Sequence, residues 1–277
     1  MSILLIDAGN SRVKFGLRLD ADYASAAAPR ESWQVAFSHD DRQGMDDWLR
    51  GLARRPVFAL GTNVAGASLQ QDLGNWLAGY GCRVHWMMAT EQRLGLINGY
   101  REPQRLGADR WLGMVGIWAC AQRQARDAAT PTAHLLAHFG TATTLDTISE
   151  QGRFVGGLIL PGRELMRRSL STGTANLPAA DGEVVAFPDH THDAIVTGVA
   201  AAQAGAVARQ WLAVRDRTGR PPLLHVSGGA WLAIAGEVEH LLGAIGSTQI
   251  IRVVDNPVLD GLACVAEAEP DLFLHRS

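Results

Sequence analysis

Cysteine is scarce. Cys82, Cys120 and Cys264 are the three in 277 residues, too few and too widely spaced for a disulfide frame or a zinc cluster. They read as core residues in a reducing compartment. Long apolar runs are missing too, because charged and glycine-rich interruptions leave no stretch of about 20 apolar residues, which excludes a membrane-spanning helix. No basic segment followed by a long apolar one occurs at the start, where Met1-Ser2-Ile3 runs straight into an apolar stretch. A signal peptide is therefore not expected, and a cytoplasmic location is. Charge of one sign is also lacking: the formal net charge of -3 offers no wholesale electrostatic capture of nucleic acid.

What is present is the profile of a folded chain, with 47% hydrophobic and 19% charged residues and a length that favours two domains or one large one. Two stretches organise it. Ile3-Leu4-Leu5-Ile6-Asp7-Ala8-Gly9-Asn10-Ser11-Arg12-Val13-Lys14-Phe15 is echoed by Leu135-Leu136-Ala137-His138-Phe139-Gly140-Thr141-Ala142-Thr143-Thr144-Leu145-Asp146. Each starts with a short apolar run of strand length, turns at a glycine beside small polar side chains, and becomes extended again. Glycine lets the backbone turn sharply or approach a ligand, and successive N–H groups in such a turn can hold phosphate oxygens. Neither stretch has the G-x-x-x-x-G-K-S/T spacing of a Walker A loop. They read as two β-turn-β phosphate loops, one heading each half.

Between them the first half reads β-β-β-α-β-α-β. Strands are expected over 13–19, 33–37, 57–60 and 84–87, and helices over 40–53 and 69–80 with Gly81 as the C-cap. The stretch 21–29 reads as a surface excursion and 91–107 as loop. A long apolar helix opens at Gly107-Ala108-Asp109-Arg110 and carries the connection between domains, placed at 118/119, giving domains 1–118 and 119–277. The second half reads as strands at 134–136, 144–148 and 154–160, a helix across 164–170 and a short strand at 184–187. A long helix N-capped by Thr191 follows, then a strand at 223–226, a helix across 230–242, a strand at 251–254 and a final helix at 258–267. This duplicated order resembles ribonuclease-H-like, actin-like domains with mixed central sheets more than a doubly wound nucleotide fold.

Several residues carry two readings each. Asp7, at the end of a buried run, is either an Asx-type cap or a carboxylate near Mg²⁺ and the transferred phosphate. Lys14 is a phosphate ligand or a surface charge. Thr141 and Thr143 either pack as strand residues or meet phosphates at the crest of the second turn. Gly228-Gly229 is an ordinary strand-to-helix turn or a bare-backbone seat for adenine. Asp109 lies near a helix start, where the dipole favours an anion. It is either an N-terminal cap or a base that accepts a proton from an attacking alcohol.

Taken in order, these motifs resemble the type III pantothenate kinase family of the acetate-and-sugar-kinase, Hsp70 and actin superfamily (ASKHA). Asp7-Ala8-Gly9-Asn10-Ser11-Arg12-Val13-Lys14 is similar to its first phosphate motif and Leu106-Gly107-Ala108-Asp109-Arg110 to its substrate motif. Phe139-Gly140-Thr141-Ala142-Thr143-Thr144 is similar to the second phosphate motif. Gly156-Gly157, Pro161-Gly162, Thr174-Ala175-Asn176-Leu177-Pro178, Thr191 and Ser227-Gly228-Gly229 continue the match. The resemblance implies transfer of the ATP γ-phosphoryl group to pantothenate, the first step toward coenzyme A. It implies Asp109 as general base and Tyr100, Gly107, Ala108, Arg110 and Thr191 along the pantothenate pocket. ATP and its Mg²⁺ are implied at Asp7, Ala8, Gly9, Asn10, Ser11, Arg12, Val13, Lys14, Gly140, Thr141, Gly228 and Gly229. It further implies a homodimer and a monovalent cation (K⁺ or NH₄⁺), while the charge and the missing apolar run leave neither nucleic acid nor membrane expected as partner. One position departs from the family pattern: His138 stands where the family carries the cation's Asp, and imidazole is a poor ligand for a hard alkali cation. A regulatory relative without catalysis, or a kinase of another small metabolite, is the alternative.

Overall fold

The alternation of side chains along the first strand decides how the first sheet is dressed. In the computed structural model, which describes residues 2–18, 34–124, 131–248 and 250–274, strand β1 (Ile3–Ala8) is buried along its whole length. Leu4, Ile6 and Ala8 face one core, where they meet Phe15, Met45, Leu49, Leu73 and Leu77, while Ile3, Leu5 and Asp7 alternate onto the other face. β2 (Val13–Arg18) returns antiparallel to β1, and β3 (Gln34–Phe37) pairs with β2. Helix α1 (Arg42–Gly51) is capped by Asp41, whose Oδ1 accepts from the Gly44 N–H at 3.0 Å. β4 (Phe58–Asn63) lies parallel to β1, α2 (Ala67–Gly79) follows, and β5 (Arg83–Trp86) completes the sheet order β3-β2-β1-β4-β5. Gly81, just beyond α2, has φ +74°, the left-handed conformation a helix end favours. The expected excursion at 21–29 lies outside the described residues, as do Leu19 and Trp33.

The segment 91–107 is more ordered than expected. β6 (Gln92–Arg93) and β7 (Leu96–Ile97) form a small hairpin around Leu94 and Gly95, at φ +47° and +80°, and a 3₁₀ turn spans Pro103–Arg105. Strands of two residues leave no alternation to detect. Two successive positive φ angles are those of a two-residue hairpin turn. Helix α3 (Ala108–Gln124) then runs buried from Arg110 to Ala119.

The second sheet repeats the first. β8 (His134–Phe139), β9 (Ala142–Ile148) and β10 (Phe154–Pro161) form an antiparallel meander. Helices α4 (Arg163–Gly173) and α5 (Thr191–Thr218), strand β11 (Leu223–Ser227), helix α6 (Ala235–Ala244) and strand β12 (Arg252–Val253) follow. The order is β10-β9-β8-β11-β12, with β11 parallel to β8 and to β12. Its core joins Leu135, Ala137, Phe139 and Leu145 to Val207, Trp211, Val226 and Val238. Three local expectations change. No strand forms at 184–187, because nearby backbone donors are taken by α5 side chains: Glu183 N–H donates to Asp193 Oδ1 at 2.8 Å, and Val185 N–H to Thr197 Oγ1 at 3.1 Å. Thr191 is the first helical residue of α5, and the N-cap is His190, whose side chain makes no capping bond. The helix expected across 230–242 is split into a 3₁₀ turn, Trp231–Ala233, and α6.

The chain ends with α7 (Pro257–Ala268) and α8 (Asp271–Leu274). Contacts group Met1–Ala129 with Asn256–Ser277 as one unit and leave Thr130–Asp255 as the other. The expected division at 118/119 falls inside α3, which belongs wholly to the first unit. α7 belongs there too, because it packs on α3 at Gly116 and Gly261, where a Cβ on Gly116 would stand 2.7 Å from Gly261 N and Pro257 O. Ion pairs between Arg123 and Glu267 at 2.8 Å and between Arg93 and Glu269 at 2.6 Å secure the return. Local periodicity shows that a helix is amphipathic or buried, and carries no record of which helix it meets.

Candidate active site

The first turn is held by charge and by side chains. Asp7 pairs across the sheet with Lys14 on β2 and with Thr62 on β4. Its buried carboxylate accepts from Lys14 Nζ at 3.2 Å, an ion pair that reaches the turn. The Gly9 N–H donates to Arg12 O at 3.1 Å, and Val64 N–H donates to Ala8 O at 3.0 Å. His39 Nε2 lies 2.9 Å from Gly9 O and must be the donor there. Asn10, Ser11 and Arg12 form an exposed crest, whereas the Ala8 and Val13 side chains lie in the core and leave only backbone groups for a ligand. Gly9 does not use the freedom expected of it: its φ is not left-handed, and an added Cβ would meet Arg12 O at an ordinary 3.5 Å.

Asp109 stands in the first turn of α3, and its Oδ1 accepts from the Arg110 N–H at 2.8 Å. Burial raises its pKa above the usual carboxylate value. The Arg110 N–H opposes that shift, the negative charge of Asp7 adds to it, and the Arg110 guanidinium opposes it again. Asp109 therefore feels the charge of Asp7. Gly107 is small by necessity, since a Cβ there would stand 2.7 Å from Asp109 Oδ1. Arg110 is buried, with its guanidinium 5.9 Å from the Tyr100 ring centroid and Nη1 3.4 Å from the Tyr100 hydroxyl. Thus Asp7, Tyr100, Gly107, Ala108, Asp109 and Arg110 share the first unit. Asn98, inside the stretch expected as plain loop, organises it. Buried Asn98 donates through Nδ2 to Thr90 O at 3.0 Å and Pro103 O at 3.2 Å, and its Oδ1 accepts from Tyr100 N at 3.0 Å. An Asn-Gly pair before the substrate motif was the available signal, and it points to a turn as readily as to a brace.

In the second unit backbone bonds close the turn, as the Gly9–Arg12 bond does in the first. Gly140 N–H donates to Ala142 O at 3.1 Å, and Gly162 N–H donates to Thr141 O at 3.0 Å. Thr141 is exposed at the crest, while Thr143 is fully buried and its Oγ1 has no hydrogen-bond partner among the described residues. A Cβ on Gly162 would overlap the carbonyl oxygen of Gly140, and one on Gly228, at φ +100°, would overlap the Phe139 peptide. Gly228 is therefore bare so that its backbone can pack on β8, whereas Gly229 faces open space. The His138 ring abuts Gly140. Thr191 lines a groove of about 700 Å³ between α4 and α5 with Met166, Leu170, His190 and Ile195.

The donor sets separate the two implied metals. Mg²⁺ is commonly bound by one or two carboxylates together with substrate phosphates. Asp7, a buried carboxylate beside the exposed first turn, fits that chemistry. His138, packed on Gly140, does not fit a hard monovalent cation.

Comparison with known proteins gives one consistent result. The family profile described as "Type III pantothenate kinase" matches residues 3–213. The type III pantothenate kinase of Bordetella petrii is 49% identical over 97% of this chain and 98% of its own length. That of Aromatoleum aromaticum is 40% identical over 96% and 98%. Among solved structures, a Baf family protein from Campylobacter jejuni, described as a transcriptional activator, superposes with a TM-score of 0.52 at 20% identity, over 97% of this chain and 99% of that one. Component A of (R)-2-hydroxyglutaryl-CoA dehydratase from Acidaminococcus fermentans gives 0.50 at 14% identity, over 99% and 100%. At such identities the structural likeness speaks for the fold alone, which is the duplicated actin-like architecture.

Proposed function

We infer function from one premise: this chain belongs to the type III pantothenate kinase family. We propose that it transfers the γ-phosphoryl group of ATP to the primary hydroxyl of pantothenate, giving 4'-phosphopantothenate for coenzyme A biosynthesis. The observation that carries the reading is Asp109, a half-buried carboxylate at a helix start whose proton affinity is raised by desolvation and by the charge of Asp7. Its raised proton affinity brings it nearer to the range that suits a general base, while above that pKa it is ionised and ready to take the hydroxyl proton. The Arg110 N–H holds one of its oxygens, which aims the carboxylate. Arg110 and Tyr100, stacked together beside it, supply a cation and a hydroxyl for the carboxylate end of pantothenate.

The crest Asn10-Ser11-Arg12 offers exposed donors for phosphate oxygens, and Lys14 brings positive charge to the same turn. Mg²⁺, when bound with Asp7, would neutralise charge on the transferring phosphoryl group. From the second unit, Gly140, Thr141 and Gly229 are the proposed nucleotide contacts, with Gly228 supporting Gly229, and Thr191 is a proposed pantothenate contact. A homodimer in the cytoplasm, without nucleic acid or membrane partners, completes the proposal; no described helix is long and apolar enough to cross a membrane.

The test is an ATP-dependent assay with pantothenate beside a panel of sugars and acetate. Formation of 4'-phosphopantothenate is expected, with Asp109→Asn lowering kcat by about 10²–10⁴-fold while ATP binding survives. Turnover of a sugar or acetate in its place, or ATP binding without any transfer, would overturn the assignment.

A further inference from the structure

His39 lies outside every motif that carries the family resemblance, yet it reaches the first phosphate turn. β3 ends at Phe37, in register with Val13, the first residue after the turn, so the chain leaving β3 passes along the turn's flank. There a tight turn, closed by Asp41 N–H donating to Ser38 O at 3.2 Å, presents the half-buried imidazole of His39. Its Nε2 stands 2.9 Å from the carbonyl oxygen of Gly9. A carbonyl oxygen only accepts, so Nε2 carries the proton.

The consequence follows from peptide geometry. The Gly9–Asn10 peptide is planar and trans, so its C=O and N–H point in opposite directions. Holding Gly9 O against His39 turns the Asn10 N–H to the other side, toward the exposed crest. The rest of the turn is already tied, by Gly9 N–H to Arg12 O and by Val64 N–H to Ala8 O. No glycine-specific backbone conformation holds this peptide plane, because Gly9 is not left-handed. His39 is the side chain that touches its carbonyl oxygen.

We propose that His39 is a positioning residue for nucleotide phosphate: by anchoring the Gly9 carbonyl, it preorients the Asn10 N–H as a phosphate donor. This rests on the reading of the first turn as a phosphate loop. It predicts an effect on nucleotide and none on the acceptor. One neutral hydrogen bond is worth about a fivefold change in an equilibrium constant.

The experiment measures binding of a non-hydrolysable ATP analogue with Mg²⁺, and of pantothenate, by titration calorimetry on His39→Phe, His39→Asn and His39→Gln, alongside KM for each substrate. His39→Phe and His39→Asn are expected to weaken the analogue and raise KM for ATP about fivefold, with pantothenate binding and Tm close to wild type. His39→Gln, which keeps a donor on a longer arm, should recover part of the loss. If His39→Phe does not fold, the smaller polar His39→Asn carries the same comparison. Unchanged analogue affinity, or equal weakening of both ligands, would overturn the inference. Wild-type turnover of pantothenate in the same preparation separates its fate from that of the proposed reaction: analogue binding can fail in the variants while that reaction stands, and the reverse.

Discussion

The hairpins β1–β2 and β8–β9 occupy the same place in two sheets of the same strand order, but they are held in different ways. At the first, the turn is secured by the Asp7–Lys14 ion pair and the His39 hydrogen bond, and its glycine has room for a side chain. At the second, Gly162 and Gly228 bring two other backbone segments against residues 139–141 too closely for any Cβ. The same topology leaves room for a side chain on the first turn's glycine and none on the two glycines that pack against the second.

Glycine substitution gives the largest expected break in that contrast. Gly228→Ala forces a left-handed residue into the Phe139 peptide and should cost about 3 kcal/mol of stability. Gly9→Ala should cost less than about 1 kcal/mol. Urea unfolding of the two variants measures both, and equal losses would erase the distinction.

A second difference is acid sensitivity. His134 Nδ1 and His225 Nε2 form a buried 3.0 Å hydrogen bond between β8 and β11. Burial first, then the positive charge of Arg252 and, for His225, of its partner, push both pKa values below the ordinary 6.5. The unfolded chain takes up protons below about 6.5 while the folded pair refuses them, so stability falls as pH drops from there toward the lowered values. The slope approaches about 1.4 kcal/mol per pH unit for each histidine. Hydrogen exchange corrected for intrinsic rates should show β8 and β11 losing protection between pH 6.5 and 5 faster than β1 and β4. Parallel losses would place the sensitivity elsewhere.

The carboxylate pair of the first unit makes a smaller, directional prediction. Because burial and Asp7 raise the Asp109 pKa, the acid limb of kcat should lie above the usual Asp range, and Asp7→Asn should move it to lower pH. A limb that stays in place would uncouple the two carboxylates. The smallest effect is expected at His138. Replacing K⁺ and NH₄⁺ with a large organic cation should change kcat less than about twofold, and a severe loss would show that the cation is held without the usual carboxylate.

Much of this was legible in the residues. Short apolar runs ending in polar glycine turns marked β1 and β8, and a nearly continuous apolar run marked α3, because those signals are local. Asp109 stood out only through the family resemblance, since a carboxylate at a helix start serves equally as a cap. His39 and Asn98 were not legible, since a histidine after a strand and an asparagine before a glycine look alike whether or not they brace a neighbouring loop. The 184–187 segment misled because its apolar residues satisfy a strand pattern while α5 side chains take its backbone bonds.

By itself the sequence determined the duplicated strand order and the two turns, written in local apolar runs and glycine turns, while its family resemblance pointed to the carboxylate proposed for catalysis. Only the tertiary structure decided that α7 belongs with α3, that Gly228 rather than Gly9 must be bare, and that His39 grips the first turn. Each of those depends on contacts between segments far apart in the chain, where close packing and hydrogen-bond direction, which no local pattern records, select the partner.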